Sequence, residues 1–227
     1  MRRYPARRVI DALLGLAFGA LFTLLTNAHP GLDRVEATAR ARYDAAVVSR
    51  VRDWRATLVE LQSTPETEQL TRTNRYFNRQ LQFLDDVVVW RNKDYWATPL
   101  ETLAKRAGDC EDFVIAKYIS LRLLGVPDEK LRLIYVRARM GGEYSSLSQA
   151  HMVLGYFATP TAEPLVLDNL IGDIRPASQR PDLYPVFSFN SSGLWVRGAS
   201  TASASSTERL SRWRDLVARM RAEGFEQ

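Results

Sequence analysis

Apolar residues recur at steps of three and four from Val35 through Ala39, Tyr43, Val47, Val51, Trp54 and Leu58 to Leu61. That stripe predicts one helix over residues 33–62, with Asp33 as its N-cap. Thr64-Pro65-Glu66 restarts a helix, with Thr64 as cap and Pro65 at the first helical position. Leu70, Phe77, Leu81 and Leu84 carry its stripe onward, and Val87-Val88-Val89-Trp90 is a short apolar burst. Thr98-Pro99 starts a further helix that runs to about Arg106 and stops at Gly108. Residues 111–124 are apolar nearly all round, which predicts the central buried helix, ended by Gly125-Val126-Pro127.

Beyond that point the period changes. Residues 131–139, 151–158 and 164–170 are rich in β-branched and aromatic side chains and bounded by turn formers, so they read as strands. Residues 185–189 and 194–197 flank Asn190-Ser191-Ser192-Gly193 as a hairpin. Helices first and strands second is the pattern of an α+β fold with an antiparallel sheet. The pattern divides the chain into an N-terminal segment, 1–28, a folded body, 33–198, a small-residue linker, 199–207, and a basic amphipathic helix within 208–227. Leu210, Trp213, Val217 and Met220 form the stripe of that last helix, which fits docking on the body or on a partner.

Composition narrows the chemistry more than the fold. The chain has 227 residues, a single cysteine and two histidines. One cysteine excludes an intramolecular disulfide and a zinc site built on several thiolates. The net charge of +5 is concentrated at the start, where Arg2, Arg3, Arg7 and Arg8 against Asp11 give +3 and leave +2 for the rest. A near-neutral body argues against nucleic acid as a partner. The basic cluster precedes the apolar run 12–25 and the small residue Ala28, the layout of a secretory signal or a retained membrane anchor. Either form keeps the positive end cytoplasmic and carries the body across the membrane.

Cys110 sits in Gly108-Asp109-Cys110-Glu111-Asp112, at the start of the most buried helix. A helix N-terminus favours thiolate over thiol and offers free N–H groups to an oxyanion. The competing reading is a small buried hydrophobe. His151 falls at the start of the second strand and Asp168 at the end of the third. If those strands are antiparallel neighbours, Asp168 can orient the imidazole and the imidazole can take the thiol proton. His29 lies at the export boundary and stays outside this set. Tyr95 and Trp96 either wall a cleft or pack in the core.

These residues resemble the bacterial transglutaminase-like cysteine proteinases, and among them the LapG-type periplasmic proteases. The matching stretches are Asp94-Tyr95-Trp96-Ala97-Thr98-Pro99-Leu100-Glu101, Gly108-Asp109-Cys110-Glu111-Asp112 with Ala116-Lys117-Tyr118, His151-Met152-Val153-Leu154, and Val166-Leu167-Asp168-Asn169-Leu170. The resemblance covers roughly residues 64–198. The resemblance implies a papain/transglutaminase-like fold, with Cys110 as nucleophile, His151 as general base and Asp168 as orienting acid. It implies cleavage of the N-terminal region of a large surface adhesin, which would release the adhesin and disperse a biofilm. It also implies an inner-membrane cyclic-di-GMP receptor that holds the protease inactive.

The same resemblance implies dependence on Ca²⁺, with Asp109, Glu111 and Asp112 as ligands. The local chemistry accords with that, because carboxylates beside a thiol oppose its ionisation and a calcium ion would neutralise them. Acids at a helix start that merely favour the macrodipole are the simpler alternative. Two further functions remain on the same residues. One is transglutaminase-type acyl transfer to an amine; the other is a non-catalytic binding protein on this fold.

Overall fold

The structure is a computed structural model that describes residues 30–142, 144–196 and 211–225. The expectations for 1–28 and for the linker at 199–207 lie outside those residues. Among the described residues no helix is long and apolar enough to cross a membrane.

The stripe at 33–62 is two helices, α1 (Pro30–Arg42) and α2 (Ala45–Leu61). Asp44 divides them, since its side chain accepts the Val47 N–H at 2.9 Å and caps a new helix. Periodicity carried across the break because both helices bury the same face. Asp33 lies in the first turn of α1 and is not its cap. α3 (Glu66–Gln80) starts behind Pro65. Thr64 does not cap it, because its hydroxyl donates backward to the Leu61 carbonyl at 2.9 Å. The Val87–Trp90 burst lies in a one-turn helix, α4 (Asp86–Trp90), whose Val87 and Val88 are exposed.

α5 (Pro99–Lys105) has the capping box expected of Thr98-Pro99-Leu100-Glu101. α6 (Cys110–Leu123) is the central helix, and Glu111 through Leu121 are buried without a break. Two short strands, β1 (Gln82–Phe83) and β2 (Ala107–Gly108), pair in parallel and were not foreseen. They tie the chain just before α4 to the residues just before Cys110.

The main sheet holds β3 (Leu131–Arg139), β4 (Ser148–Tyr156), β5 (Leu165–Leu167), β6 (Arg175–Pro176), β7 (Leu183–Phe189) and β8 (Leu194–Val196), in the order β6-β5-β4-β3-β7-β8. Every neighbouring pair is antiparallel. β4 begins three residues earlier than the pattern suggested, so His151 is its fourth residue. The inner face of β3 and β4 packs against α6, which buries Leu131, Leu133, Met152 and Leu154 in the main core. α7 (Ser211–Glu223) docks on the body through Trp213, Leu216 and Met220. Trp213 meets Phe189 and Tyr118 edge-on, with ring centroids 5.4 and 5.8 Å apart. Each of those buried side chains is worth about 2 kcal/mol.

Candidate active site

Cys110 is the first residue of α6, with Asp109 in extended conformation as its N-cap. Its backbone N–H is therefore one of the free donors at a helix start. Gly108 is dictated by crowding, because a Cβ there would collide with the Asp112 carboxylate. The thiol is half-buried and donates to Glu111 Oε2 at 3.0 Å. Burial pushes the Cys110 thiol up, and the Glu111 and Asp109 carboxylates push it further, while the Met152 backbone amide opposes them. Met152 follows His151 on β4, so the sulfur lies against the strand that carries the imidazole.

β4 and β5 pair antiparallel with Leu154 opposite Leu167. One residue further along, Asp168 shares a face of the sheet with His151. His151 Nε2 and Asp168 Oδ1 stand 2.8 Å apart, and both side chains are almost wholly buried. Asp168 Oδ1 also accepts the Leu170 N–H at 3.1 Å, and Asp168 Oδ2 accepts from Arg180 Nη2 at 2.8 Å. Burial pushes the Asp168 carboxyl up. The His151 hydrogen bond and charge, joined by Arg180, outweigh burial and hold it at about 2. With Nε2 engaged by the carboxylate, Nδ1 is the nitrogen left for a thiol.

On the other side of Cys110 the carboxylates gather. Asp86, Asp109 and Asp112 bring one oxygen each within 4.8 Å of one another, and so do Asp86, Asp94 and Glu111. Asp86 Oδ1, Asp94 Oδ1, Asp109 Oδ1 and Asp112 Oδ2 have no hydrogen-bond partner among the described residues. Burial raises Asp86 to about 6 and Asp109 to about 10, and lifts Asp112 well above the usual carboxylate range. Like charges on Glu111 and on one another add to each shift. Orphaned, buried carboxylate oxygens at this spacing fit a hard divalent cation, whose oxygen ligands lie about 2.4 Å from the metal. The residues can therefore hold a metal ion.

Sequence reasoning placed Asp109, Glu111 and Asp112 here and missed Asp86 and Asp94. Asp94 opens one of the matching stretches, so a signal was present. Asp86 had none, because only the β1–β2 pairing brings it to Asp109. Arg180 was also missed; it sits between Gln179 and Pro181 with no pattern around it. Trp96 is a core residue stacked on Phe189 with centroids 5.7 Å apart, and Tyr95 bonds Glu101 at 2.7 Å and Arg219 at 3.0 Å. A separate cleft of about 300 Å³, lined by Tyr118, Arg122, Asp128, Ser192 and Phe225, lies at the far end of α6 from Cys110.

A thiol at a buried helix start, set against an antiparallel sheet bearing a histidine–carboxylate pair, defines a thiol hydrolase of the papain and transglutaminase type. The family profile of the bacterial transglutaminase-like cysteine proteinases matches residues 46–200, and the chain belongs to that family. It is similar to solved structures of Legionella pneumophila LapG. The EGTA-treated form is 36% identical with a TM-score of 0.73, over 83% of this chain and 97% of that one. The calcium-bound form is 38% identical with a TM-score of 0.72, over 83% and 98%. The curated proteins offer no match. The protein is a cysteine protease with the transglutaminase-like fold.

Proposed function

We propose that this protein is a calcium-dependent cysteine endopeptidase in which Cys110 is the nucleophile, His151 the general base and Asp168 the orienting acid. The observation that carries the reading is the buried 2.8 Å contact between His151 Nε2 and Asp168 Oδ1, on the strand whose Met152 amide meets the Cys110 sulfur. His151 takes the thiol proton through Nδ1 while Asp168 fixes the tautomer. The Cys110 sulfur attacks the scissile carbonyl, the bond to the amine breaks, and His151 returns the proton to that amine. The Cys110 backbone N–H, at the start of α6, is placed to receive the oxyanion. Water, activated by His151, then releases the acyl group and restores the thiol.

Asp109, Glu111 and Asp112, joined by Asp86 and Asp94, would hold Ca²⁺. A bound calcium ion supplies positive charge that neutralises these carboxylates and fixes the loop before the nucleophile. The calcium-bound relative and the orphaned oxygens support that assignment.

The family resemblance supports a fuller reading. The substrate is the N-terminal region of a large surface adhesin, and its cleavage frees the adhesin and disperses the biofilm. The enzyme works in the periplasm, exported by residues 1–28 as a cleaved signal or a retained anchor. A cyclic-di-GMP receptor of the inner membrane restrains it. The test is incubation of wild type and Cys110→Ser with an adhesin N-terminal fragment, with and without chelator. Wild type should produce new N-termini only when calcium is present, and Cys110→Ser none. Undiminished cleavage by Cys110→Ser would remove the mechanism, and isopeptide bonds in place of new N-termini would make the enzyme an acyl transferase.

A further inference from the structure

Behind the Asp168 carboxylate lies a second buried charge that the mechanism above does not use. Arg180 follows the 3-10 turn Ala177–Gln179 and is 2% exposed. Its backbone is pinned on both sides, by Arg180 N–H to Ala177 O and Leu183 N–H to Arg180 O, each at 3.0 Å. Its Nε donates to Asp182 Oδ1 at 3.0 Å and its Nη2 to Asp182 Oδ2 at 2.8 Å. That two-point fork fixes the plane of the guanidinium. The same Nη2 then meets Asp168 Oδ2 at 2.8 Å. Asp168 Oδ1 is left to His151 Nε2 and to the Leu170 N–H. Asn78 of α3 holds the Asp168 carbonyl at 2.7 Å.

We infer that Arg180 is a positioning residue of the catalytic triad, aimed by Asp182, which occupies Asp168 Oδ2 so that Oδ1 is the oxygen offered to His151. The inference rests on the reading of Cys110, His151 and Asp168 as a triad, and it is independent of the acidic cluster and of the identity of the substrate. The carboxylate lies in a pocket closed to water, so an unfilled Oδ2 would be a buried anion oxygen with no donor. Such a carboxylate either turns to share both oxygens with the imidazole or takes up a proton. Both outcomes loosen the tautomer that keeps Nδ1 free for the thiol. The other charged groups facing Asp168 do not replace Arg180. Lys117 of α6 is fully buried, but its Nζ has no hydrogen-bond partner among the described residues. Among the described residues, β4 contributes His151 itself, and α3 offers the neutral Asn78. A lysine at 180 would keep the charge but not the fork, because a single ammonium cannot hold a plane between two carboxylates.

The chain contains one cysteine, so alkylation by iodoacetamide reads Cys110 alone and needs no substrate. The rate is measured from pH 4 to 9 on the full chain with calcium chloride at one fixed concentration. The variants are Arg180→Met, Arg180→Lys, Asp182→Asn and His151→Ala. Arg180→Met should lower the rate at pH 6 about tenfold and move the acid limb up by about one pH unit, because Asp168 protonates more readily without its cation. Asp182→Asn should move the profile the same way by about a third as much, and Arg180→Lys should recover part of the loss. With two histidines in the chain, the side-chain ¹⁵N spectrum should show the His151 Nε2–H signal sharp in wild type and broadened in Arg180→Met. A folded Arg180→Met with the wild-type alkylation profile, while His151→Ala is slow, overturns the role of Arg180 and leaves the triad intact. Wild-type alkylation by His151→Ala overturns the triad and the inference with it. Should Arg180→Met fail to fold, Asp182→Asn decides, and a lowered melting temperature with an unchanged profile there assigns Arg180 to structure alone.

Discussion

The two flanks of Cys110 use the same residue types to opposite ends. On the sheet side, Asp168 meets His151 and Arg180, and Arg180 meets Asp182. Charges alternate in sign, each Asp168 oxygen has a donor, and the carboxyl is held at about 2 despite its burial. On the helix side, Asp86, Asp94, Asp109, Glu111 and Asp112 face one another, and four of their oxygens lack a donor among the described residues. There the carboxyl groups are raised, Asp86 to about 6 and Asp109 to about 10. Among the described residues, the cation paired with this flank is on α7, where Arg212 meets Asp94 at 2.6 Å from an exposed position. The difference separates carboxylates that the polypeptide pairs by itself from carboxylates it leaves unpaired. On the proposed reading, the flank that orients the base is closed by protein charges, whereas the flank beside the thiol would be completed by a bound cation.

The largest effect should come from breaking the closed flank. Asp168→Asn is expected to lower proteolysis by roughly 10⁴-fold and His151→Ala by up to about 10⁶-fold, the losses typical when the acid or the base of such a triad is removed. Thermal unfolding should respond to calcium as in wild type in both variants, because neither residue touches the acidic cluster. Loss of the calcium response in Asp168→Asn, measured by calorimetry, would join the two flanks into one unit and end the comparison.

Next in size is the open flank. Calcium at about a hundred times its dissociation constant should stabilise the fold by about 2.7 kcal/mol. Chelation should remove that gain together with activity, and so should Asp109→Asn combined with Glu111→Gln. The pH dependence has a definite sign. A carboxyl whose folded-state pKa is raised contributes stability below its unfolded value near 3.8, and that contribution is lost as pH rises through the folded value. In chelator the melting temperature should therefore fall from about pH 4, most steeply up to about 6, where the Asp86 contribution is fully lost, and continue to fall toward about 10 with Asp109. Saturating calcium should flatten the curve. A chelated protein whose stability is level from pH 5 to 9 would show that the cluster carries no trapped charge.

These flanks were unequally legible in the sequence. The closed flank was half visible: a lone thiol at a helix start, a lone body histidine and an acid leaving the next strand stand in conspicuous contexts. Arg180 was not visible, since its role is set by a turn and by Asp182, and nothing in its neighbours marks a buried cation. On the open flank, Asp109, Glu111 and Asp112 are contiguous with the cysteine, and the family resemblance, rather than their spacing, marked them as ligands. Asp86 comes to them only through the parallel pairing of two-residue strands, which are too short for any periodicity to announce. The α+β order was legible because hydrophobic period changes sharply after Pro127. The break between α1 and α2 was not, because the apolar stripe runs through it and only the Asp44 cap marks it.

Lys117 sharpens the comparison from within the closed flank. It is fully buried two turns along α6 from Cys110, and its Nζ has no hydrogen-bond partner among the described residues. Burial lowers it from 10.5 to about 7, against an opposing pull from Asp168. A base with a depressed folded-state pKa destabilises the fold increasingly as pH falls from about 10 to about 7, where the unfolded chain takes up a proton that the folded chain resists. Lys117→Met should therefore be more stable than wild type, by about 2 kcal/mol at pH 7. The gain should shrink as pH rises toward 10. A variant that is less stable at every pH would mean that the ammonium is an essential counter-charge for Asp168.

The smallest effect expected is at Thr98, which connects a helix cap to the open flank. Its hydroxyl accepts the Glu101 N–H at 3.1 Å, and Glu101 accepts the Thr98 N–H at 2.8 Å. Arg219 of α7 binds that same Glu101 carboxylate and the Trp96 carbonyl, so the terminal helix braces the turn from outside. One residue before Thr98, the Ala97 N–H donates to Asp112 Oδ1 at 2.8 Å. The cap therefore steadies the turn whose Ala97 N–H holds Asp112 Oδ1, while Asp112 Oδ2 has no partner among the described residues. Thr98→Ala should cost about 1 kcal/mol of stability, the usual value of such a cap, and Thr98→Ser should restore most of it. If the cap also sets the position of Asp112, calorimetric titration should show calcium bound about twofold more weakly by Thr98→Ala than by Thr98→Ser. Equal affinities would assign the placement of the acidic cluster to α6 and the β1–β2 pairing, and leave α5 with a purely structural part.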